Sequence, residues 1–193
     1  MNLLTDSWVP VLEGGRFRQI GLQDVLCTDA SWEIALPRDD MELAALQLLI
    51  CLTQVLFPPA DQAALRARLK TPLGEDEYRR AIEPYRAWFD LDHPVTPFMQ
   101  TRGVKATEPT PIQKLFIGLP EGNNHAFFNA EGEIGAVCGG CAAIALFNQA
   151  NNCPSFGGGF KSGLRGSTPV TTLIDAPSLR QRIWENVLPL TEI

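Results

Sequence analysis

Histidine is almost missing from this chain: there are two, His93 beside Pro94 and His125 among asparagines. Neither sits in a nucleophile or metalloprotease spacing, and the serines and carboxylates show no signature pattern, so the sequence is expected not to encode an enzyme. Positive charge is not in excess either. The net charge is −6, a poor starting point for a protein that grips a polyanion unaided. The five cysteines, Cys27, Cys51, Cys138, Cys141 and Cys153, are odd in number and irregularly spaced, which excludes a secreted disulfide framework. No charged leader with an apolar stretch and small-residue cleavage site opens the sequence. The longest apolar run, Leu43 to Phe57, is broken by Gln47, Thr53 and Gln54; as a helix it spans roughly 22 Å, short of the roughly 30 Å of a bilayer core. A cytoplasmic protein with no membrane partner is expected. No internal repeat or low-complexity tract appears.

What is present is a globular composition, 45% hydrophobic and 20% charged over 193 residues, enough for one domain with a real core. The acidity is uneven. Residues 1–95 carry nine basic against fifteen acidic residues, whereas residues 96–170 carry five against four. The fold class expected is mixed α+β, a single domain with a central buried helix, small antiparallel strands and long loops. Gly14-Gly15 between Trp8–Leu12 and Arg16–Ile20 predicts a hairpin. Leu22–Leu26 predicts about one helical turn. Asp39, as N-cap with Glu42 three residues on, opens a helix that runs to Phe57, ends at Pro58-Pro59 and forms the core. Further helices are expected at Asp61–Lys70 and Glu75–Phe89, the latter kinked or split at Pro84. Arg66, Arg68, Arg79 and Arg80 on those helices read as solvated faces paired with nearby acids. Thr110-Pro111-Ile112-Gln113 predicts a capped short helix. Residues 121–166 hold ten glycines and read as loops around one apolar helix at Cys141–Ala150; a strand at Val170–Ile174 and a helix at Ser178–Leu188 close the sequence.

Three stretches could carry chemistry. Cys138-Gly139-Gly140-Cys141 places two thiols within reach of one tetrahedral zinc, or forms a redox dithiol at a helix N-terminus, or is a tight helix start with small buried residues. Ser155–Gly166 contains Gly157, Gly158 and Gly159, which let backbone approach a ligand closely, with Lys161 and Arg165 beside them. It is no Walker loop, because Phe160 precedes the lysine; a surface loop of no special function is the competing reading. Asn123–Asn129 sets Phe127 and Phe128 among amides, a pattern for stacking on or wedging between bases while the amides read their edges, or simply a core aromatic pair.

Read together, Met1–Pro10, LPRDDMELAALQLL (Leu36–Leu49), HPVTPFMQTRGVKA (His93–Ala106), CGGCAAIALFNQAN (Cys138–Asn151) and FGGGFKSGLRGSTPVTT (Phe156–Thr172) resemble the CasA family end to end. CasA is the large subunit of the type I-E CRISPR Cascade surveillance complex. The resemblance implies that residues 1–193 are part of an incomplete N-terminal domain, with a C-terminal helical bundle absent. It implies a crRNA-guided antiviral role: reading the protospacer-adjacent motif of double-stranded target DNA from the minor groove, promoting unwinding and recruiting a helicase-nuclease, alongside other Cascade subunits and crRNA. Sequence proper is read by guide pairing, and the degenerate minor-groove code suits tolerant motif reading. Phe127 and Asn129 match one DNA-contacting loop of the family, and Gly157–Gly159 match its glycine loop. Ser155 stands where the family has a glycine, and the family's assisting lysine and wedge hairpin are not found here. In some relatives a second CxxC completes a structural zinc site with the equivalents of Cys138 and Cys141, so a zinc in the full-length protein is expected. The alternatives are a module that mainly docks on protein partners, or a CxxC metal or redox protein.

Overall fold

A computed structural model describes residues 1–105, 107–119, 132–153, 163–165 and 170–193. The hairpin forms where Gly14 and Gly15 permit it. Both have positive φ, 56° and 78°, as a two-residue turn of this hand requires. It joins β1 (Val9–Glu13) to β2 (Arg16–Ile20) with Val9 opposite Ile20 and Glu13 opposite Arg16. A two-residue strand that the sequence did not announce, β3 (Glu33–Ile34), pairs with the other edge of β1, giving an antiparallel sheet in the order β2-β1-β3. Val9 and Val11 point inward from β1.

Behind the sheet, α1 (Leu22–Cys27) buries Leu22, Val25 and Leu26. The central helix α2 (Asp39–Leu56) is apolar on most sides and packs against β3 and two later helices. Its start differs from the expectation: Arg38 is the N-cap and Asp39 the first helical residue, with no side-chain cap bond. Glu42 instead reaches back beyond the cap, accepting from Leu36 N at 2.9 Å, which ties down the incoming chain rather than the helix end. α3 (Gln62–Lys70) is capped by Asp61, which accepts from Ala64 N. α4 (Glu75–Ile82) gives way to a 3-10 segment, Glu83–Phe89, at Pro84, because proline cannot donate the next helical bond. Arg68 pairs with Glu77, and Arg79 with Glu75 and Asp76, so these arginines are engaged on the surface as expected.

α5 (Gly139–Asn152) packs along α2, and α6 (Leu179–Trp184), capped by Ser178, packs on α2 and α3. Arg180 of α6 is 4% exposed; it pairs with Asp29 and donates to the final carbonyls of α3, Arg68 O and Leu69 O. The core joins Trp8, Tyr78 and Trp184 to the leucines of α1 and α2, each fully buried leucine contributing roughly 1.5–3 kcal/mol. Trp8 Nε1 donates to Leu3 O at 2.8 Å and Tyr78 OH to Leu4 O at 2.7 Å, so these two buried aromatics are satisfied, whereas the buried Trp184 Nε1 finds no acceptor among the described residues. No strand forms at 170–174. Asn186 takes the place of a strand partner there, accepting from Ile174 N and donating to Ile174 O, both at 2.8 Å. Among the described residues no helix is long and apolar enough to cross a membrane.

Candidate nucleic-acid interface

Phe127, Asn129, Gly157, Gly158, Gly159 and Lys161 lie outside the described residues. The described residues form the frame from which the two segments that contain them, 120–131 and 154–162, depart and to which they return. That frame is built around α5.

The first segment leaves from a 3-10 turn, Ile112–Leu115, and returns at Ile134. The sequence suggested a capped short helix with Gln113 in its first turn. The structure uses Gln113 otherwise: its side chain is 2% exposed and its Oε1 accepts from Ile134 N at 3.0 Å. A buried amide thus bonds the returning strand of chain to the departing one. The second segment leaves from Cys153 and returns at Gly163. Leu164 N donates to Ala150 O at 2.8 Å, so departure and return meet on the last turn of α5. Gly163 permits this approach, because a Cβ there would stand 2.5 Å from Ala150 O.

The opposite end of α5 carries the cysteine pair. Cys138 is its N-cap, and Sγ accepts from Cys141 N at 3.3 Å. Burial opposes ionisation of Cys138, yet hydrogen bonds from the Cys141 amide and thiol and from the Gly140 amide outweigh it and hold the thiol below its ordinary value. Cys141 is pushed up to about 11, by burial first and then by the hydrogen bond and charge of Cys138. The pair is therefore one thiol that ionises more easily beside one that resists it, as expected at a helix N-terminus. Both line a mostly apolar cavity of about 270 Å³ with Leu36, Met41, Phe116 and Ile134. As donors they fit two corners of a tetrahedral thiolate site. Among the described residues no group of three or more metal-ligating side chains exists, so the pair amounts to half a site.

The glycines between the cysteines have a separate cause. A Cβ on Gly140 would lie 2.6 Å from Trp8 O, and one on Gly139 would lie 2.8 Å from Met1 Sδ. Close approach of α5 to the amino-terminal segment needs small residues there whatever the thiols do.

Between the two ends runs a polar seam. Asn148, 1% exposed, donates to Asp40 Oδ2 at 3.0 Å. Asn152 donates to Asn148 Oδ1 at 3.0 Å and to Gln47 Oε1 at 2.8 Å. Arg38 completes it, donating from Nε to Asp40 Oδ1 at 2.8 Å and from Nη2 to Ile117 O at 2.7 Å. Sequence reasoning missed Gln113, Gly163 and this seam. The available signal was the placement of Gln47 within α2 and of Asn148 and Asn152, four apart, on an otherwise apolar helix.

The family described as CRISPR-associated protein Cse1 matches residues 2–192. A CasA/Cse1 protein of Thermus thermophilus is 30% identical over 131 residues, which is 66% of this chain and 26% of that protein. The crystal structure of Thermobifida fusca Cse1 superposes with a TM-score of 0.71 at 21% identity, covering 95% of this chain and 38% of that one. A chain of a CRISPR RNA-guided surveillance complex, in a pre-nicking structure, superposes with a TM-score of 0.62 at 18% identity, covering 80% of this chain and 34% of that one. This chain spans about a quarter of the curated relative's length and under half of each of these solved chains.

Proposed function

The chain belongs to the CRISPR-associated protein Cse1 (CasA) family, and from that premise we propose that it is part of the large, non-catalytic subunit of a cytoplasmic, crRNA-guided surveillance complex that reads a short motif in double-stranded DNA. On this reading the protein works beside other Cascade subunits and crRNA, starts strand separation at the motif and recruits a helicase-nuclease. Phe127 and Asn129 contact bases. Gly157, Gly158 and Gly159 bring backbone against the minor groove, where a Cβ would hold the protein off. Lys161 adds a phosphate contact.

One observation carries the reading: the chain bordering each candidate segment is closed by a hydrogen bond beside α5, from Ile134 N to Gln113 Oε1 on the 3-10 turn that packs against the helix and from Leu164 N to Ala150 O on its last turn. A reading surface needs contact groups held on a rigid support, and α5 with α2 supplies one. The net charge of −6 fits a reader whose grip on phosphate comes from its partners. Cys138 and Cys141 would hold two positions of a structural zinc in the full-length protein, a cross-link that fastens the start of α5.

The test is substitution of Gly158 by leucine in the full-length protein, assembled with its partners and guide RNA. Binding of a guide-matched duplex should weaken at least tenfold, about 1.4 kcal/mol. Binding unchanged across duplexes with different flanking motifs would remove the reading and leave a module that docks on protein partners alone.

A further inference from the structure

Residues 170–174 read Val-Thr-Thr-Leu-Ile, four β-branched residues in five, the composition of a strand. Their burial also alternates as a strand's does. Thr171 and Leu173 are half-buried, with Leu173 packed on the core, while Val170, Thr172 and Ile174 face outward. Val170 is 92% exposed and Ile174 56%. What the segment lacks is a second strand. No hydrogen bond joins the backbone of Thr171, Thr172 or Leu173 to any described residue.

Its far end shows the geometry it is held in. The Asn186 amide accepts from Ile174 N and donates to Ile174 O, both at 2.8 Å. A residue turns its N–H and C=O to the same side in extended backbone, and two bonds exchanged with one neighbour are those of a hydrogen-bonded pair in an antiparallel ladder. Asn186 thus fills one edge of the segment at Ile174. Successive residues of an extended chain turn these groups to opposite edges. Thr172 therefore shares the edge of Asn186, whereas the N–H and C=O of Thr171 and Leu173 point to the other, where no side chain stands in. Nor do residues 170–174 include the lysine, proline or glycine that keeps a natural edge single. A loop satisfied by water needs neither the alternation nor the clamp.

We infer that the edge formed by Thr171 and Leu173 is a strand-pairing site, and that its occupant is an extended stretch of the full-length Cse1 polypeptide outside residues 1–193. This chain spans under half the length of the solved relatives, so a family member carries ample chain to supply one. Pairing within one polypeptide avoids the translational and rotational cost of association, which suits an edge that offers four backbone groups. The pairing also reaches a charge. Arg165 Nη1 donates to Thr171 Oγ1 at 2.7 Å, so a strand that fixes Thr171 fixes that guanidinium with it. None of this depends on what the protein reads in DNA.

Amide exchange decides it, read residue by residue in the full-length protein free of its partners. Thr171 and Leu173 should exchange about a hundredfold more slowly than Thr172, because ladder bonds alternate along the strand. Three fast amides, or three equally slow ones, overturn the inference. Slow exchange at Thr171 and Leu173 that appears only in the assembled complex assigns the edge to another subunit, and slowing that grows with protein concentration assigns it to a second copy; either result overturns the inference as well. Thr171→Pro deletes a ladder donor and should speed exchange at Leu173 by about tenfold. Thr172→Pro, whose lost N–H faces the other edge, should leave Leu173 slow. Leu173 sped as much by the second proline as by the first overturns the inference. Should Thr171→Pro not fold, the alternation in the unmodified protein decides the matter alone.

Discussion

Alanine at Gly140 should destabilise the protein and alanine at Gly139 should not, although the two glycines are neighbours between the same two cysteines. At 140 the added Cβ meets Trp8 O at 2.6 Å and Trp8 Cβ at 3.2 Å. The obstacle is backbone. Trp8 is 1% exposed and its indole is bonded to Leu3 O, so it has nowhere to retreat and α5 must shift. Overpacking of this kind costs about 1–3 kcal/mol, against a gain from replacing a helical glycine of at most about 1 kcal/mol. At 139 the nearest atom is Met1 Sδ at 2.8 Å, the far part of a pliable side chain that can rotate away. Urea unfolding of the full-length protein should show Gly140→Ala destabilised by about 1–2 kcal/mol with an unchanged slope. Gly139→Ala should stay within about 0.5 kcal/mol of wild type. Equal stabilities would refute the packing argument and return the glycines to some requirement of the thiols.

Gly163→Ala should cost about 1–3 kcal/mol and speed exchange of the Leu164 amide, because its Cβ would press on Ala150 O at 2.5 Å; an unaffected Leu164 would show that the anchor tolerates a side chain. Iodoacetamide labelling followed by peptide mass spectrometry should modify Cys138 first. Its reaction should rise with pH through a midpoint below that of an ordinary thiol, while Cys141 waits for pH near 11. Cys138→Ala should lower the Cys141 midpoint, since it removes a charge and a hydrogen bond that oppose ionisation; an unmoved midpoint would contradict the pairing. Arg180→Met should destabilise by about 2 kcal/mol by stripping its bonds to Asp29, Arg68 O and Leu69 O. Asp29→Asn, at the exposed end of the pair, should cost under about 1 kcal/mol.

The parts of this fold that were legible in the sequence are those decided locally. Gly14-Gly15 specifies its turn by backbone freedom alone, Pro84 ends a helix wherever it falls, and the apolar run of α2 has no place but the core. The parts that were not legible depend on distant partners. β3 is two residues long and exists because β1 has an open edge. Residues 170–174 read as a strand from their β-branched residues, yet the chain beside them is Asn186, whose one amide satisfies Ile174 on both sides. Gln113 looked like a capping residue because its reach to Ile134 crosses 21 positions. Cys138-Gly139-Gly140-Cys141 combined two causes in one motif: the thiols point to the helix N-terminus and the glycines to Trp8 and Met1. The candidate contact residues Phe127, Asn129, Gly157–Gly159 and Lys161 lie outside the described residues, and the closures beside them lay in single hydrogen bonds that leave no local pattern.

The closed anchor at Ala150 and Leu164 also bears on how such a protein can change over time. When the two ends of a segment are stapled together, a change in its length adds little to the entropic cost of closing it. Doubling a closed loop costs only about 0.6 kcal/mol in chain entropy, a small tax on a core of this size. Segment 154–162 is in that sense a cassette. On the proposed function, exchanging it for the corresponding stretch of a relative should retune what is recognised while α2 and α5 remain as they are, so that new specificities become reachable by small, separable steps.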